Sequence, residues 1–400
     1  MQLYDLTVIG GGPAGATCAR IAANAGLDVV LLEKAIHPRS KPCGGAIGPY
    51  ALRILDLDIS SVIDRTFHAA IVHTPAGKNV VLTSQELTGH LVKRDRFDAY
   101  LLQKAKDAGV EVIEGKEVVG IEQLRKGIRA LAVGDSYKSH FLVGADGVNG
   151  ISAKELGVRT KWRPEDVALC YQADVPMNQD DVTRTMTTHN SEPVIELYFG
   201  LVPWGYAWCF PKRESYSIGV GCRMDMSEQL KLAWIKHIER IERDKGVELD
   251  VSRTSFRVPL GGRVDRCIGR RSMLVGDAAG LVSPLTGEGV SFAIQSGAIA
   301  AKVAIDAVEA KSALKVVEYE KQVKTGISKE LADFRMLTGI LNRSPRHVEL
   351  LCQIADEDPI MKEYLTNILA RIRPFSELKL ALGKRLVTKH PLKAVRLGLK

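Results

Sequence analysis

Three glycines, Gly10, Gly12 and Gly15, stand directly after the apolar run Leu6-Thr7-Val8-Ile9 and open an alanine-rich stretch. The first allows a tight turn and the second lets the backbone come close to a pyrophosphate. The third lets the following helix pack on the strand with its free N–H groups turned towards the phosphates. Such a site needs an acid on the next strand, and Glu33 ends the run Val29-Val30-Leu31-Leu32. Its carboxylate suits a ribose diol and repels a 2′-phosphate, which argues against NADP in this pocket. Two further acids follow short apolar runs: Asp146 in Val143-Gly144-Ala145-Asp146-Gly147, with Ser152 beyond it, and Asp277 in Leu274-Val275-Gly276-Asp277. An aspartate in the Asp277 position can hold the hydroxyls of an extended cofactor. The turn Pro284-Leu285-Thr286-Gly287-Glu288-Gly289-Val290 then leads into a small-residue helix predicted from Ser291 to about Glu309. Its positive N-terminus would face that cofactor and favour negative charge on it by ~0.3–1 kcal/mol.

Two other strings could meet a substrate. Lys41-Pro42-Cys43-Gly44-Gly45-Ala46 places a thiol in a glycine turn shortly after Glu33. In Pro203-Trp204-Gly205-Tyr206-Ala207-Trp208-Cys209-Phe210-Pro211, strand alternation puts Tyr206, Trp208 and Phe210 on one face, an aromatic wall. The competing assignments are sheet core for the wall and a small buried hydrophobe for Cys43.

The elements that must position these residues are legible in outline. Alternating glycine turns, apolar strands and helices predict an α/β, Rossmann-type cofactor domain, interleaved with a second domain. Segments 69–74, 80–83 and 167–222, rich in β-branched and aromatic residues, predict an antiparallel sheet for that second domain. The limits are 1–65, 90–160 and 258–310 for the cofactor domain, with the return near Val258-Pro259-Leu260-Gly261-Gly262, and 66–89 with 161–257 for the substrate domain. Residues 311–400 read as a helical C-terminal region.

Composition bounds the rest. Four hundred residues, 46% of them apolar, suffice for two or three subdomains with cores. Met1 leads straight into the first strand without a signal-like segment, and no apolar stretch approaches the length of a spanning helix, which excludes one, so a cytoplasmic protein is expected. Seven scattered cysteines without a CxxC pair read as reduced thiols, with no metal expected. Residues 371–400 hold nine Lys or Arg against Glu377 alone, and so account for the whole net charge of +8. Phe375, Leu378, Leu382 and Leu386 recur there at helical spacing, continued by Leu392, Val395 and Leu399. That pattern predicts a basic amphipathic helix on an anionic membrane surface, hence a peripheral protein on the inner face; the alternative is a terminal helix packed on its own domain. No base-reading module accompanies the charge, so nucleic acid is not expected as a partner.

With the glycine fingerprint, the Asp146-Gly147 block and the Gly276-Asp277 block in this order, the chain resembles FAD-dependent oxidoreductases built like para-hydroxybenzoate hydroxylase over residues 1 to about 310. Lys41–Ile47 and the Pro-x-x-Tyr-x-Trp-x-Phe-Pro string further resemble the geranylgeranyl reductase family. The resemblance implies a noncovalent FAD contacted by Gly10, Gly12, Pro13, Ala14, Gly15, Glu33, Lys34, Cys43, Gly44, Gly45, Arg94, Asp146, Gly276, Asp277, Gly287, Gly289 and Val290. It implies substrate contacts at Tyr206, Trp208 and Phe210, and reduction of isolated C=C bonds in a polyprenyl lipid or polyprenyl diphosphate with NADPH or a ferredoxin as electron donor. An isolated alkene has no carbonyl to absorb electrons, so protonation must lead or accompany hydride delivery. Cys43 is the catalytic candidate by its loop position, although an ordinary thiol of pKa ~8.5 is a weak acid for this task. A flavin-dependent monooxygenase or halogenase of the same fold remains an alternative, since halogenases carry Trp-x-Trp-x-Ile-Pro where this chain has Tyr206, Trp208, Phe210 and Pro211. A non-catalytic prenyl-binding protein is a further one.

Overall fold

In a computed structural model, which describes residues 2–261 and 266–398, the strand Leu3–Ile9 lies between Asp135–Gly144 and Val29–Leu32, parallel to both. Its side chains are buried on both faces, Leu6 and Val8 in one core and Tyr4 and Ile9 in another, which is why the run is nearly all apolar rather than alternating. Glu111–Ile113 extends the sheet on one side, and Ser272–Leu274 with Ile268–Gly269 on the other. The register sets Ile9 beside both Leu32 and Gly144, so the carboxyl ends of three strands open together at one crevice, where ligands of doubly wound sheets bind. The helix Pro13–Asn24 begins at that crevice, and the long helix Val290–Glu309 packs beside it. Gly297 allows this approach, since a Cβ there would lie 2.3 Å from the Ala14 carbonyl oxygen.

Val290–Glu309 corrects one expectation: by length and mean hydropathy it is apolar enough to cross a membrane, because lone residues such as Lys302 and Asp306 interrupt the run without polarising it. Here it is the central core helix, with Phe292, Ile294, Ala300 and Ala304 buried.

The second sheet runs in the order Thr254–Pro259, Val167–Pro176, Ser215–Arg223, Gly205–Pro211, Glu192–Tyr198, Ala69–His73, Asn79–Thr83. All its pairs are antiparallel except Glu192–Tyr198 with Ala69–His73. Its two faces differ. Ala207 and Cys209 pack under the helix Leu230–Lys245, while Trp208 and Phe210 look towards the first domain. A small sheet of Ala46–Ile47, Gly89–Val92 and Ile63–Phe67 bridges the two.

The C-terminal region opens with the helix Val316–Val323, and after it come Lys329–Leu341, Pro345–Glu357, Pro359–Leu369, Phe375–Lys389 and Pro391–Arg396. Ser344 caps Pro345–Glu357 and Asp358 caps Pro359–Leu369, each followed by a proline at the first helical position. Cys352 and Ala355 cover Val80 and Leu82 on the edge strand of the second sheet. The basic stretch does not form the predicted lipid-facing stripe: Phe375, Leu378 and Leu386 are buried in the protein's own cores and Leu382 packs against them. Much of its charge is cancelled by carboxylates from earlier in the chain, in the pairs Arg371–Glu330, Lys379–Asp333, Arg385–Asp358 and Lys393–Glu357, and Arg373 pairs with Glu377. Leu399 and Lys400, counted in the tail, and Gly262 in the predicted return, lie outside the described residues.

Candidate active site

Between the two sheets lies a cavity of about 800 Å³. One end is the crevice at the carboxyl ends of the parallel strands. Gly10, Gly12, Pro13, Ala14, Glu33, Lys34, Asp146 and Asp277 line it, and so do the loop carrying Cys43, Gly44 and Gly45, Arg94, and the turn bearing Gly287, Gly289 and Val290. Of the predicted cofactor residues, Gly15 and Gly276 lie behind this wall. Gly15 supports the turn, since a Cβ there would sit 1.9 Å from the Gly10 carbonyl oxygen. Gly276 donates its N–H to Ser296 Oγ at 2.9 Å, tying the Asp277 corner to the central helix. Gly10 has φ +105°, a left-handed region open to glycine.

Glu33 does more than the ribose role predicted for it. Its Oε2 accepts the Gly11 N–H at 2.6 Å and its Oε1 the Ala35 N–H at 2.9 Å, so the buried carboxylate holds the glycine turn in shape. Each oxygen keeps acceptor capacity for a diol. Asp146 accepts the Ser152 N–H at 2.8 Å through one oxygen, while the other is buried without a partner. Burial raises its pKa, and the bonds from Ser152 oppose that rise. At the entry to the central helix, Glu288 accepts from the Ser291 N–H and hydroxyl, both at 2.7 Å.

Sequence reasoning missed Arg39. Its Nη2 meets the fully buried Asp98 at 3.0 Å, and Arg94 grips the same carboxylate through Nε and Nη2 at 2.8 Å each. Two guanidiniums on one carboxylate leave a net positive charge in the wall. Burial would lower Arg94, but Asp98 and the adjacent Cys43 reverse that and hold it as a cation. The second Arg39 nitrogen, Nη1, is buried with no partner, and a Cβ on Gly12 would lie 3.8 Å from Nη2. A buried cationic donor beside a glycine turn with no other neighbour fits a pyrophosphate. An unpartnered acceptor at Asp146 and Asp277 at the strand end fit the rest of an extended dinucleotide. The signal in the sequence was faint: one arginine in His37-Pro38-Arg39-Ser40-Lys41, whose partner lies 59 positions downstream.

The other end of the cavity is hydrocarbon. Tyr206, Trp208 and Phe210 stand in a row with ring centroids 6.1 and 6.5 Å apart, and Phe199 stacks on Tyr206 at 5.7 Å. Room for Trp208 comes from Gly219 opposite it on the next strand, where a Cβ would lie 2.1 Å from the indole. Phe210 rests on Gly44, where a Cβ would lie 2.7 Å away, so the wall touches the Cys43 turn. The Trp208 Nε1 is buried without a partner and lies 3.4 Å from that same Cβ position. The Tyr206 hydroxyl donates to the Thr286 carbonyl oxygen in the turn before the central helix, joining the two ends. The Cys43 sulfur accepts the Gly45 N–H at 3.4 Å, and the Ser217 hydroxyl donates to the Cys43 carbonyl oxygen at 3.4 Å. Beyond the aromatics, Val72, Leu82, Ile195 and Leu197 continue the wall, and Leu351, Leu365, Leu369 and Leu386 of the C-terminal helices close it.

Comparison with known proteins agrees with this geometry. A sequence family described as FAD binding domain matches residues 4–314. The chain is 31% identical to digeranylgeranylglycerophospholipid reductase 2 of Methanothermobacter thermautotrophicus, over 76% of this chain and 79% of that protein. It is 29% identical to the digeranylgeranylglycerophospholipid reductase of Methanocaldococcus jannaschii, over 81% and 83%. Among solved structures, a geranylgeranyl bacteriochlorophyll reductase-like protein from Thermoplasma acidophilum superimposes with a TM-score of 0.83 at 24% identity, covering 100% of this chain and 99% of that one. A flavin-dependent brominase superimposes at 0.74 with 20% identity, covering 92% and 94%, a likeness of fold. The glycine turn, the paired arginines and the aromatic strand thus stand in a chain that belongs to the geranylgeranyl reductase family of FAD-dependent oxidoreductases.

Proposed function

We propose that this protein hydrogenates isolated carbon–carbon double bonds of a polyprenyl lipid of the digeranylgeranylglycerophospholipid kind. The observation that carries the reading is the continuity of the cavity: a polar crevice fitted to a dinucleotide runs, at the Cys43 turn, into an arm walled by aromatic and aliphatic side chains. Such an arm takes a hydrocarbon chain by burying it, at roughly 25 cal/mol per Å² of apolar surface. The names of the two archaeal relatives support the same substrate class. FAD, when bound and reduced, supplies the hydride.

The chain's own residues do the rest. Tyr206, Trp208 and Phe210 orient the alkene against the Cys43–Gly45 turn and keep water from it. Cys43, in that turn, is the candidate proton donor of this reading, with the Arg94 cation beside its sulfur to meet the negative charge that donation would leave there. The net charge of the Arg39–Asp98–Arg94 cluster favours an anionic cofactor.

The test is anaerobic incubation with dithionite and a panel of polyprenyl lipids and diphosphates, read by mass spectrometry for a gain of two hydrogens per bond. Replacing dithionite by NADPH or by a reduced ferredoxin in the same assay identifies the electron donor. Oxygen-dependent NADPH oxidation stimulated by an aromatic compound, with no hydrogen gain in any lipid, would overturn the reading in favour of a monooxygenase or halogenase.

A further inference from the structure

The helix Phe375–Lys389 has two apolar faces, and only one is covered. Inward, Leu382 and Leu386 line the hydrocarbon arm, joined by Leu397 from the turn after the next helix. Outward, Leu380 is 85% and Val387 55% exposed, with Lys384 between them at a spacing that places all three along one side of the helix. In Pro391–Arg396, Leu392 and Val395, one turn apart, are 78% and 70% exposed. Single exposed leucines are ordinary, but four large aliphatic side chains in one helical pair are a concentration. The cations around them differ from the rest of the basic stretch. Lys384, Lys389 and Arg396 have no carboxylate partner among the described residues, whereas the Lys and Arg residues 371, 373, 379, 385 and 393 are each paired.

We propose that this outer face seats on an anionic lipid bilayer. Leu380, Val387, Leu392 and Val395 enter the interfacial layer, and Lys384 and Arg396 lie at the level of the lipid phosphates, while Lys389, on the other side of the helix end, adds to the attraction at longer range. The occupant follows from chemistry. Aliphatic side chains interspersed with unpaired cations match a surface that is apolar just beneath a negatively charged layer, and repel a basic partner. The position follows from the cavity, whose wall on this side is one helix thick. Resting on the reading of the substrate as a polyprenyl lipid, the placement brings the substrate's own phase to the back of the arm that receives it. It also replaces the stripe Phe375–Leu378–Leu382–Leu386, which faces inward.

The experiment uses the full-length flavoprotein and sedimentation with vesicles of phosphatidylcholine, with and without about one-third phosphatidylglycerol. Two variants are compared with the wild type: Leu380→Ser/Val387→Ser/Leu392→Ser/Val395→Ser and Lys384→Gln/Lys389→Gln/Arg396→Gln. All seven positions lie on the outside of the fold, and an unchanged flavin spectrum verifies that each variant is folded. The wild type is expected to prefer the anionic vesicles and to lose affinity as salt rises. Each variant is expected to bind at least tenfold more weakly, with reduction of detergent-dispersed substrate unchanged and reduction of vesicle-embedded substrate lowered. Binding that ignores both sets of substitutions, or an absence of binding while detergent-dispersed polyprenyl is still reduced, overturns the docking face and leaves the proposed function standing. Salt-sensitive binding lost in both variants, by a protein that reduces no polyprenyl in detergent, supports the face and overturns the function.

Discussion

At one end of the cavity Gly12, Glu33, Asp146 and Arg39 present backbone amides, carboxylates and a guanidinium; at the other, Val72, Leu82, Leu351 and Leu386 present hydrocarbon. The polar end depends on individual atoms at fixed places, so one added methyl or one lost nitrogen changes what binds. The apolar end depends on area and volume, which many residue sets supply equally well. The aromatic strand belongs to both, since Tyr206 is tied to the turn before the central helix and Phe210 lies on Gly44.

The sharpest way to break this contrast is Gly12→Val. Nothing but Arg39 Nη2, at 3.8 Å, stands within 4 Å of a Cβ there, so the polypeptide tolerates the side chain while the cofactor's path does not. The purified variant is expected to be folded by circular dichroism and to carry almost no flavin absorbance. Gly15→Val, whose Cβ would lie 1.9 Å from a carbonyl oxygen, is expected instead to lose soluble folded protein. Flavin occupancy unchanged in Gly12→Val would refute the placement of the pyrophosphate.

Trp208→Ala tests the apolar end. If the indole orients substrate, turnover of a polyprenyl lipid should fall about 100-fold with flavin retained, a barrier increase of roughly 2.7 kcal/mol. If it acts only as sheet core, melting temperature and flavin content should fall together, as expected for a Trp→Ala loss of about 3–5 kcal/mol.

Arg39→Ala separates the two ends more finely. Losing a charge-assisted hydrogen bond of ~1.5–3 kcal/mol should weaken FAD roughly 10- to 100-fold, with turnover restored at saturating FAD. Unchanged affinity in a flavin titration would show that Nη1 does not meet the cofactor.

The smallest effect concerns the back of the aromatic strand. His237 Nε2 donates to the Trp208 carbonyl oxygen at 2.9 Å, and burial lowers the His237 pKa to about 4. The unfolded chain takes up that proton near pH 6.5, so this contribution to stability is present above pH 6.5 and is lost as pH falls to about 4. Glu196 adds a second loss at lower pH. Burial would raise it, but His73 at 2.9 Å and Lys245 at 2.8 Å bring it down to about 2, so its contribution is present above pH 4.5 and lost as pH falls to about 2. His237→Gln should flatten the fall in melting temperature between pH 6.5 and 4 by a few degrees, measured calorimetrically. A profile identical to the wild type would show that the imidazole is not held neutral.

The polar end was legible in the sequence because its demands are local. A strand, a glycine turn and a helix within about fifteen residues can meet a phosphate only with small residues at set places, and Glu33 completes the unit through the Gly11 N–H. Alternation also put Tyr206, Trp208 and Phe210 on one side of their strand. It could not say which side was the cavity, which depended on Gly219 and Gly44 from two other segments. Arg39 stayed hidden because a lone arginine means nothing until Asp98 and Arg94 are folded against it.

Sequence alone determined the cofactor fold, the order of its three motifs and the family, since backbone geometry and residue size enforce them at short range. Tertiary structure decided the basic stretch. Its helical period was right, but a period defines stripes and not which stripe is covered. Packing against the bundle turned Phe375, Leu378 and Leu386 inward, carboxylates at residues 330, 333, 357 and 358 cancelled four of its cations, and Leu380 and Val387 were left facing out. Those partners lie tens of residues upstream, and burial and ion pairing between distant segments are fixed only when the chain closes on itself.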